Sequence, residues 1–478
     1  MRLTRADIAA GLRELGLRAG DRVLVHSSLT AIGDVDGGAD AVIDALLDAV
    51  GGDGLVAVPT FACKPPFDRR KSATPLGAVA DRLWRRPEAA RSLHPTHSVA
   101  AIGPGAEEFV RDHEKAPTAY GEGTPYHALA ITGGKILLLG VDQDRNTTLH
   151  TAEALAGAAY LSDIQATYVD DRGKHVTIPI TAMAGPHRDF IGLDRLFREK
   201  GVVRIGKIGG AVCRLIEAGP MVETALEALR RDPAATLCEN PNCADCVVQR
   251  GKIKAARLAQ ESFTLAAVAG DISDDPGQIA RALQGEGISA VELTADEFAD
   301  IGESLIEKRI EIAAIRAPGD NMDTEELADS LAVPLIVTAS AREDFEAALR
   351  SAQRGHAWVL MENGGAPSEV YEEFYAGHAD APGLAFNPAR FAAAAEKPFL
   401  GVFYRGRLRK HVEHFYIEDG DTSGNWTLPG MGNAEVKEII SMLRCRSYAG
   451  MMTLRSPLGG VENFRRAAAA FWRLLDNM

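Results

Sequence analysis

Apolar residues in the first half of the chain switch repeatedly between two periods. Short β-rich runs, RVLVHSSL, LVAVPTF, HSVAAIG and GKILLLGVD, are separated by segments whose apolar positions recur every three or four residues. From Ala10 to about Gly219 this alternation predicts an α/β layer fold. Each strand run ends in small or polar residues, which puts loops at carboxyl strand ends, where open α/β sheets commonly bind ligands. ATYVDDRGKHVTIPI alternates on both sides of DDRG and predicts a β-hairpin set on that core. The opening MRLTRADIAAGLRELGL predicts an amphipathic helix started by a Thr4/Asp7 capping box.

The texture changes at CENPNCADCVVQRGKIKAARL, where turn residues precede a basic helical pattern, as suits a connector. It divides the chain into a first domain over 1–255, ending in this cysteine-rich connector, and a second over 262–478. In the second, TLAAVAG, AVEL, EIAAIRA, PLIVT, WVLMEN, GLAFN and GMMTLRS read as strands, with one more at FLGVFY or VEHFYIED. About eight strands at this spacing predict a (β/α) barrel of the TIM type.

Composition adds bounds. The 478 residues are 46% hydrophobic and 25% charged, ordinary globular material for two domains or more. Every apolar run is interrupted by Gly, Asp or Arg before it could span a bilayer, and the first residues do not read as a signal peptide, so a cytoplasmic protein without a membrane partner is expected. Through Gln260, Lys+Arg 32 balance Asp+Glu 32; the remainder holds 20 against 34, so the whole net charge of -14 sits in the second half. That acidity argues against a nucleic-acid footprint, which needs clustered Lys and Arg.

Candidate chemistry concentrates in LLLGVDQDRNTTLHTAEAL: a strand ending at Gly140, a polar loop, and a helix from near Thr147 or Thr148. His150 and Glu153, three apart, share a helix face. A carboxylate on one imidazole nitrogen fixes the tautomer and leaves the other nitrogen to accept a proton. The helix N-terminus disfavours imidazolium and Glu153 favours it, and the two effects partly cancel. On spacing alone the pair reads as a surface helix pair rather than as a catalytic one.

Its surroundings decide between these. VHSSLTAIGDVDGGADAVIDALLDAVGGDGLVAVPTF, SLHPTHSVAAIG, YGEGTPYHALAITGGKILLLG and NTTLHTAEAL, in that order, resemble the aminoglycoside 3-N-acetyltransferase family over roughly residues 1–230. The resemblance implies a three-layer α/β/α fold, distinct from the GNAT acetyltransferases, and acetyl-CoA as cosubstrate. It implies a small-molecule amine acceptor, an aminoglycoside or another amino sugar, and hence a role in antibiotic resistance. His150 would be the general base, oriented by Glu153, with direct transfer in a ternary complex. Ser27, Ser28 and Thr60 match segments lining the coenzyme A cleft, and Gly37-Gly38 opens a helix whose N-terminus can hold a phosphate. Without the family, Ser-Ser and Gly-Gly are turn chemistry. His94 and His97 in HPTHS, and Asp142 and Asp144 in the loop before His150, are assigned to the acceptor side; a sharp turn and helix capping are the other readings. Cys63 in PTFACKPP reads as a buried structural thiol rather than an acyl carrier. A homo-oligomer remains open.

Cys238, Cys243 and Cys246 form C-x4-C-x2-C, whose second half has the spacing for two thiolates on one tetrahedral zinc. No fourth ligand is indicated, so a structural zinc, free thiols and a transient disulfide all stay open. In the second half, GISAVELTADEF, WVLMENGG, PGLAFNPARFA, HVEHFYIEDGD and YAGMMTLRS resemble the strand ends of sugar phosphate isomerase/epimerase barrels of the xylose isomerase type, which bind a divalent cation there. Glu362 matches such a ligand, but Asn387 and Arg455 stand where acids are expected, which implies a barrel without metal chemistry. Glu292, Glu362, His414 and Asp419 could still form a polar pocket. The alternative is a bifunctional biosynthetic protein whose barrel still isomerises a sugar.

Overall fold

The computed structural model describes residues 2–62, 64–183, 187–317 and 321–478, so Cys63 lies outside the described residues. The chain forms two compact units, Met1–Gln249 and Arg250–Met478.

In chain order, the strands of the first unit are β1 (Arg22–Ser27), β2 (Leu55–Pro59), β3 (Phe67–Asp68), β4 (Ala90–Arg91), β5 (Val99–Ile102), β6 (Lys135–Leu139), β7 (Leu161–Val169), β8 (His175–Met183), β9 (Val203–Ile208) and β10 (Ala211–Glu217). The helices are α1 (Arg5–Leu15), α2 (Leu29–Ile32), α3 (Gly38–Val50), α4 (Ala78–Leu83), α5 (Ala106–Val110), α6 (Pro125–Ile131), α7 (Leu149–Leu155), α8 (Asp194–Glu199) and α9 (Ala218–Arg231), with α10 (Ala244–Leu258) running across the boundary between the units.

Seven strands form one mixed sheet in the order β4-β5-β2-β1-β6-β10-β9. Its centre, β2-β1-β6, is parallel and its flanks are antiparallel. Side chains alternate across the pleat, so both faces of these apolar strands must be covered. Val23, Val25, Val56, Val58, Leu137 and Leu139 pack with Leu12 of α1, Leu46 of α3 and Leu83 of α4. Leu24, Leu55, Ala57, Ile136 and Leu138 pack with Phe109 of α5, Leu129 of α6, Leu149 of α7 and Met221 of α9. The result is three layers, α/β/α. The Thr4/Asp7 capping box opens α1. The β7–β8 hairpin, extended by β3, makes a separate three-stranded sheet. The antiparallel pair β9–β10 is absent from the strands predicted above.

In the second unit, β11 (Thr264–Val268), β12 (Ala290–Thr294), β13 (Glu311–Ala317), β14 (Leu335–Ala339), β15 (Val359–Asn363), β16 (Gly383–Phe386) and β17 (Val412–Ile417) are followed by a small pair, β18 (Asp419–Gly420) with β19 (Trp426–Thr427), and by β20 (Met451–Leu454). Strands β11 to β17 and β20 close into an eight-stranded parallel barrel. Of the two runs left open, VEHFYI is the strand; PFLGVFYR is a π-helix that buries Val402 and Phe403. Ala314, Ile336, Leu360, Ala385 and Tyr416 form an interior layer, and Ala266, Ala290 and Ala313 another. Among the described residues, no helix is long and apolar enough to cross a membrane.

Candidate active site

The loop after β6 begins at Gly140, whose φ of +74° is left-handed; a Cβ there would lie 2.7 Å from the Cβ of Ala31 and 3.1 Å from that of Ala211. Only glycine fits both demands. The chain then makes one 3-10 turn, Gln143–Arg145, and enters α7 after Thr148, placing His150 in the first helical turn. Two buried side chains fix this loop: Asn146 Nδ2 donates to Gln143 Oε1 at 2.9 Å, and Gln143 Nε2 donates to Asp194 Oδ1 at 3.1 Å.

His150 Nδ1 lies 2.6 Å from Glu153 Oε2, and the imidazole is packed between the rings of Tyr120 and Phe190, at centroid distances of 4.9 and 4.8 Å. Glu153 is fully buried, and its other oxygen, Oε1, accepts from Thr236 Oγ1 at 2.8 Å, Arg188 Nε at 2.9 Å and Tyr160 OH at 3.0 Å. Burial pushes its carboxyl up, but His150, Arg188 and the Thr236 hydroxyl outweigh it and hold the group below the ordinary carboxylate value, so Glu153 is ionised. With Nδ1 occupied, Nε2 is the imidazole nitrogen left to meet a ligand.

His150 forms part of the wall of a cavity of about 700 Å³, which His26, Ser27, Phe61, His97, Asp144, Arg145, Arg188, Asp189 and Phe190 also line. Two further histidines of this wall are neutral: burial pushes His26 down to about 3, and burial together with His150 and His113 pushes His97 down. Among the described residues, His26 Nε2 has no hydrogen-bond partner. His97 Nε2 lies 3.4 Å from Tyr120 OH, and its Nδ1 lies 2.9 Å from Thr96 Oγ1.

Of the described residues singled out from the sequence, His150, Ser27, His97 and Asp144 line this cavity, and the others do not. Glu153 stands behind His150. Ser28 caps α2, its hydroxyl accepting from the Ala31 N–H at 3.3 Å. Thr60 is fully buried, where Arg91 Nε donates to its hydroxyl at 3.1 Å and Ser98 Oγ lies 3.0 Å away. His94 is fully buried and stacked on His113 at 4.3 Å, its Nδ1 accepting from the His97 N–H at 3.0 Å. Asp142 caps the 3-10 turn and pairs with Arg214 at 2.9 Å. Gly37 and Gly38 open α3 and are not among the lining residues. Sequence reasoning missed His26, Tyr160, Arg188 and Thr236. For His26 a signal existed, since a histidine inside an apolar strand run is unusual; Glu153's remote partners had none.

Cys238, Cys243 and Cys246 converge with His187, the four donor atoms lying within 4.8 Å of one another. His187 Nδ1 is 3.3 Å from Cys246 Sγ and 3.4 Å from Cys243 Sγ. His187 thus supplies the fourth donor that the cysteine spacing left open. Three thiols and one imidazole, all free of disulfides, match the donor set of a structural zinc.

In the barrel, Glu362 is fully buried and accepts from Arg316 Nη2 at 3.2 Å, Thr338 Oγ1 at 2.9 Å and Asn387 Nδ2 at 3.0 Å. Asn387 donates as well to Glu418 Oε2 at 2.9 Å, and Arg455 Nε donates to Asp271 Oδ2 at 2.8 Å. His414 Nε2 lies 3.0 Å from Glu292 Oε1. Contrary to the sequence reading, Asp419 does not join them. It accepts backbone N–H groups of Gly420, Gly430, Gly432 and Ala434 and so pins the loop beyond β18. Guanidinium and amide groups thus meet Glu362, Glu418 and Asp271, whereas Glu292 Oε1 and the His414 ring nitrogens have no hydrogen-bond partner among the described residues.

Comparison with known proteins bears on the first unit. A family profile for aminoglycoside 3-N-acetyltransferase matches residues 24–230. Aminoglycoside N(3)-acetyltransferase IV of Salmonella is 36% identical over 233 residues, 48% of this chain and 88% of that protein. Aminoglycoside N(3)-acetyltransferase VIII of Streptomyces fradiae is 33% identical over 271 residues, 47% of this chain and 91% of that protein. Among solved structures, a histidine-to-alanine mutant of aminoglycoside acetyltransferase AAC(3)-IVa in complex with a gentamicin matches with a TM-score of 0.50 at 33% identity, covering 53% of this chain and 98% of that one. The chain therefore belongs to the aminoglycoside 3-N-acetyltransferase family and is an N-acyltransferase.

Proposed function

We propose that the protein transfers an acetyl group from acetyl-CoA directly to an amino group of an aminoglycoside or a related amino sugar, with His150 as general base and Glu153 orienting it. The observation that carries this reading is the 2.6 Å contact between His150 Nδ1 and a buried, ionised Glu153, in a ring that lines the cavity. An ammonium has no lone pair, so the acceptor must lose a proton before or during attack on the thioester. His150 Nε2 takes that proton as the C–N bond forms and the C–S bond breaks, and the imidazolium, stabilised by Glu153, gives the proton to the departing coenzyme A thiolate. Asp189 in the lining attracts a cationic acceptor, while Asp144 is paired with Arg145 at 3.2 Å and the neutral His26 and His97 add no charge of their own. Ser27 is placed to bind the amide or thioester oxygens of the cosubstrate, and the N-terminus of α3 at Gly37 and Gly38 is suited to its phosphates. The test is acetylation of a panel of aminoglycosides and simpler amines by the full chain, with the product site mapped by mass spectrometry and NMR. An acetylated aminoglycoside amine supports the reading; acetyl-CoA hydrolysis without an acetylated amine on any panel member refutes it.

Two further proposals attach to this reading. His187, Cys238, Cys243 and Cys246 hold a structural zinc that stiffens the segment before α10, supported by the convergence of four donor atoms. Metal analysis of the full chain, with mercurial release, should return one zinc per chain, and a metal-free folded protein would exclude it. The barrel carries no hard-metal chemistry, supported by the Arg316 and Arg455 contacts with its carboxylates. Binding of Mn²⁺ or Mg²⁺ in the barrel, or a sugar isomerase activity dependent on either, would overturn this.

A further inference from the structure

Arg188 sits at the junction of the two side-chain clusters of the first unit. Its side chain is 1% exposed, its Nε donates to Glu153 Oε1 at 2.9 Å, and its Nη1 donates to the main-chain oxygen of His187 at 2.8 Å. Its guanidinium lies 4.9 Å from the centroid of the Tyr160 ring. One residue earlier, His187 places its imidazole 3.3 Å from Cys246 Sγ and its N–H 3.2 Å from Asp245 Oδ2. One residue later, the N–H of Asp189 donates to the main-chain oxygen of Thr236 at 2.8 Å, and the Thr236 hydroxyl donates to Glu153 Oε1 at 2.8 Å. Three consecutive residues are therefore tied to the cysteine cluster, to Glu153 and to the segment that supplies Glu153 with another donor.

We propose that Arg188 is a positioning residue for the His150–Glu153 pair, and that the cluster of His187 with Cys238, Cys243 and Cys246 holds it in place. This rests on the reading of His150 as general base. Glu153 has one oxygen for His150 and one for its tethers. Three donors on Oε1 stop the carboxylate from rotating about its χ3 bond and carrying Oε2 away from Nδ1. Arg188 is the one charged donor of the three, and its cation offsets the buried carboxylate. Without it the pair holds one more uncompensated negative charge, and a proton on the imidazole is kept to higher pH. Loosening the cluster frees His187 and with it the backbone that carries Arg188.

The test uses the full chain with Arg188→Met, Arg188→Lys and Cys238→Ser, reading kcat and KM separately, the acid limb of the kcat/KM pH profile, and metal content. In Arg188→Met we expect kcat to fall about 10- to 100-fold with KM for acetyl-CoA within about threefold, since orientation rather than binding is lost. The acid limb should move to higher pH, and Arg188→Lys should restore part of both. Cys238→Ser should move kcat and the limb in the same direction by less. A folded Arg188→Met protein with unchanged kcat, or one whose rate falls while the limb stays put, overturns the positioning role. A Cys238→Ser protein with wild-type kcat and limb overturns the link to the cluster. A His150→Ala protein that keeps its activity defeats the underlying reading instead, whatever the Arg188 variants do.

Discussion

Replacing Glu153 by Gln removes one charge and almost no volume, so its consequences follow from the hydrogen bonds around it. The carboxylate accepts from His150, Arg188, Tyr160 and Thr236. An amide has one acceptor oxygen and one NH2 group, so one of its two ends must present donors to a site built for an acceptor. With NH2 toward His150, Nδ1 is forced to accept and the imidazole proton moves to Nε2, the nitrogen the acceptor needs. With NH2 toward Arg188, two donors face each other. Either way Arg188, with a side chain 1% exposed, is left as a buried cation without its counterion. Breaking a buried pair in this way costs about 3–5 kcal/mol. The Arg188 contacts with Tyr160 and the His187 carbonyl place the expected loss at the lower end of that range. At roughly 2–4 °C per kcal/mol, the first unit should melt about 6–12 °C lower. Urea unfolding of the full chain, with the first unit followed by hydrogen exchange in β1 and β6, measures this independently of the barrel. The Glu153→Gln/Arg188→Met protein should be more stable than the sum of the single losses predicts, by at least about 1 kcal/mol. Additive losses, or a Glu153→Gln protein as stable as wild type, would refute the argument that the two charges are held for each other.

Three more outcomes follow from the same contacts. Burial pushes His26 and His113 down to about 3, far below the ordinary value of 6.5. The unfolded chain therefore takes up protons that the folded chain refuses, and first-unit stability should fall from pH 6.5 toward pH 3 by up to about 1.4 kcal/mol per pH unit for each histidine, as urea midpoints would report; flat stability across that window contradicts it. Thr60→Val should lose about 1–3 kcal/mol, because buried Arg91 Nε loses its acceptor while Ser98 Oγ keeps its bond to the residue 60 main-chain oxygen, and KM for acetyl-CoA should stay put; a KM raised several-fold would return Thr60 to the cleft. Arg455→Met should destabilise the barrel by about 3 kcal/mol by taking from Asp271 and Glu418 the cation they share, and a barrel of unchanged urea midpoint would count against the ion-pair account.

Much of this was legible in the chain because it is local. Short, nearly continuous apolar runs located β1, β2, β5 and β6, and the i,i+3 spacing of His150 and Glu153 took its meaning from the family resemblance of the blocks around it. The turn at Gly209 and Gly210 between alternating runs was a readable hairpin signal for β9–β10 that went unused. Other features were not local. His187 and Arg188 sit just after the hairpin and reach Cys246 and Glu153, 59 and 35 residues away. No periodicity encodes such contacts. Thr60 and His94 were assigned to the ligand side by the family resemblance of their segments, but both side chains are buried in protein. In the barrel, Asn387 and Arg455 were recognised as departures from a metal-binding pattern; that Asn387 bridges Glu362 and Glu418 depended on three-dimensional register.

The central claim is that the His150 imidazole removes the acceptor's proton. Its most direct measurement is the pH profile of kcat/KM for aminoglycoside acetylation in the wild-type chain and in His150→Gln, each checked for folding and for coenzyme A binding. The account predicts an acid limb in the wild type that disappears in the variant, with a residual rate lower by about 10²- to 10⁴-fold. A variant that binds coenzyme A, keeps the same limb and works within a few-fold of the wild-type rate would contradict it.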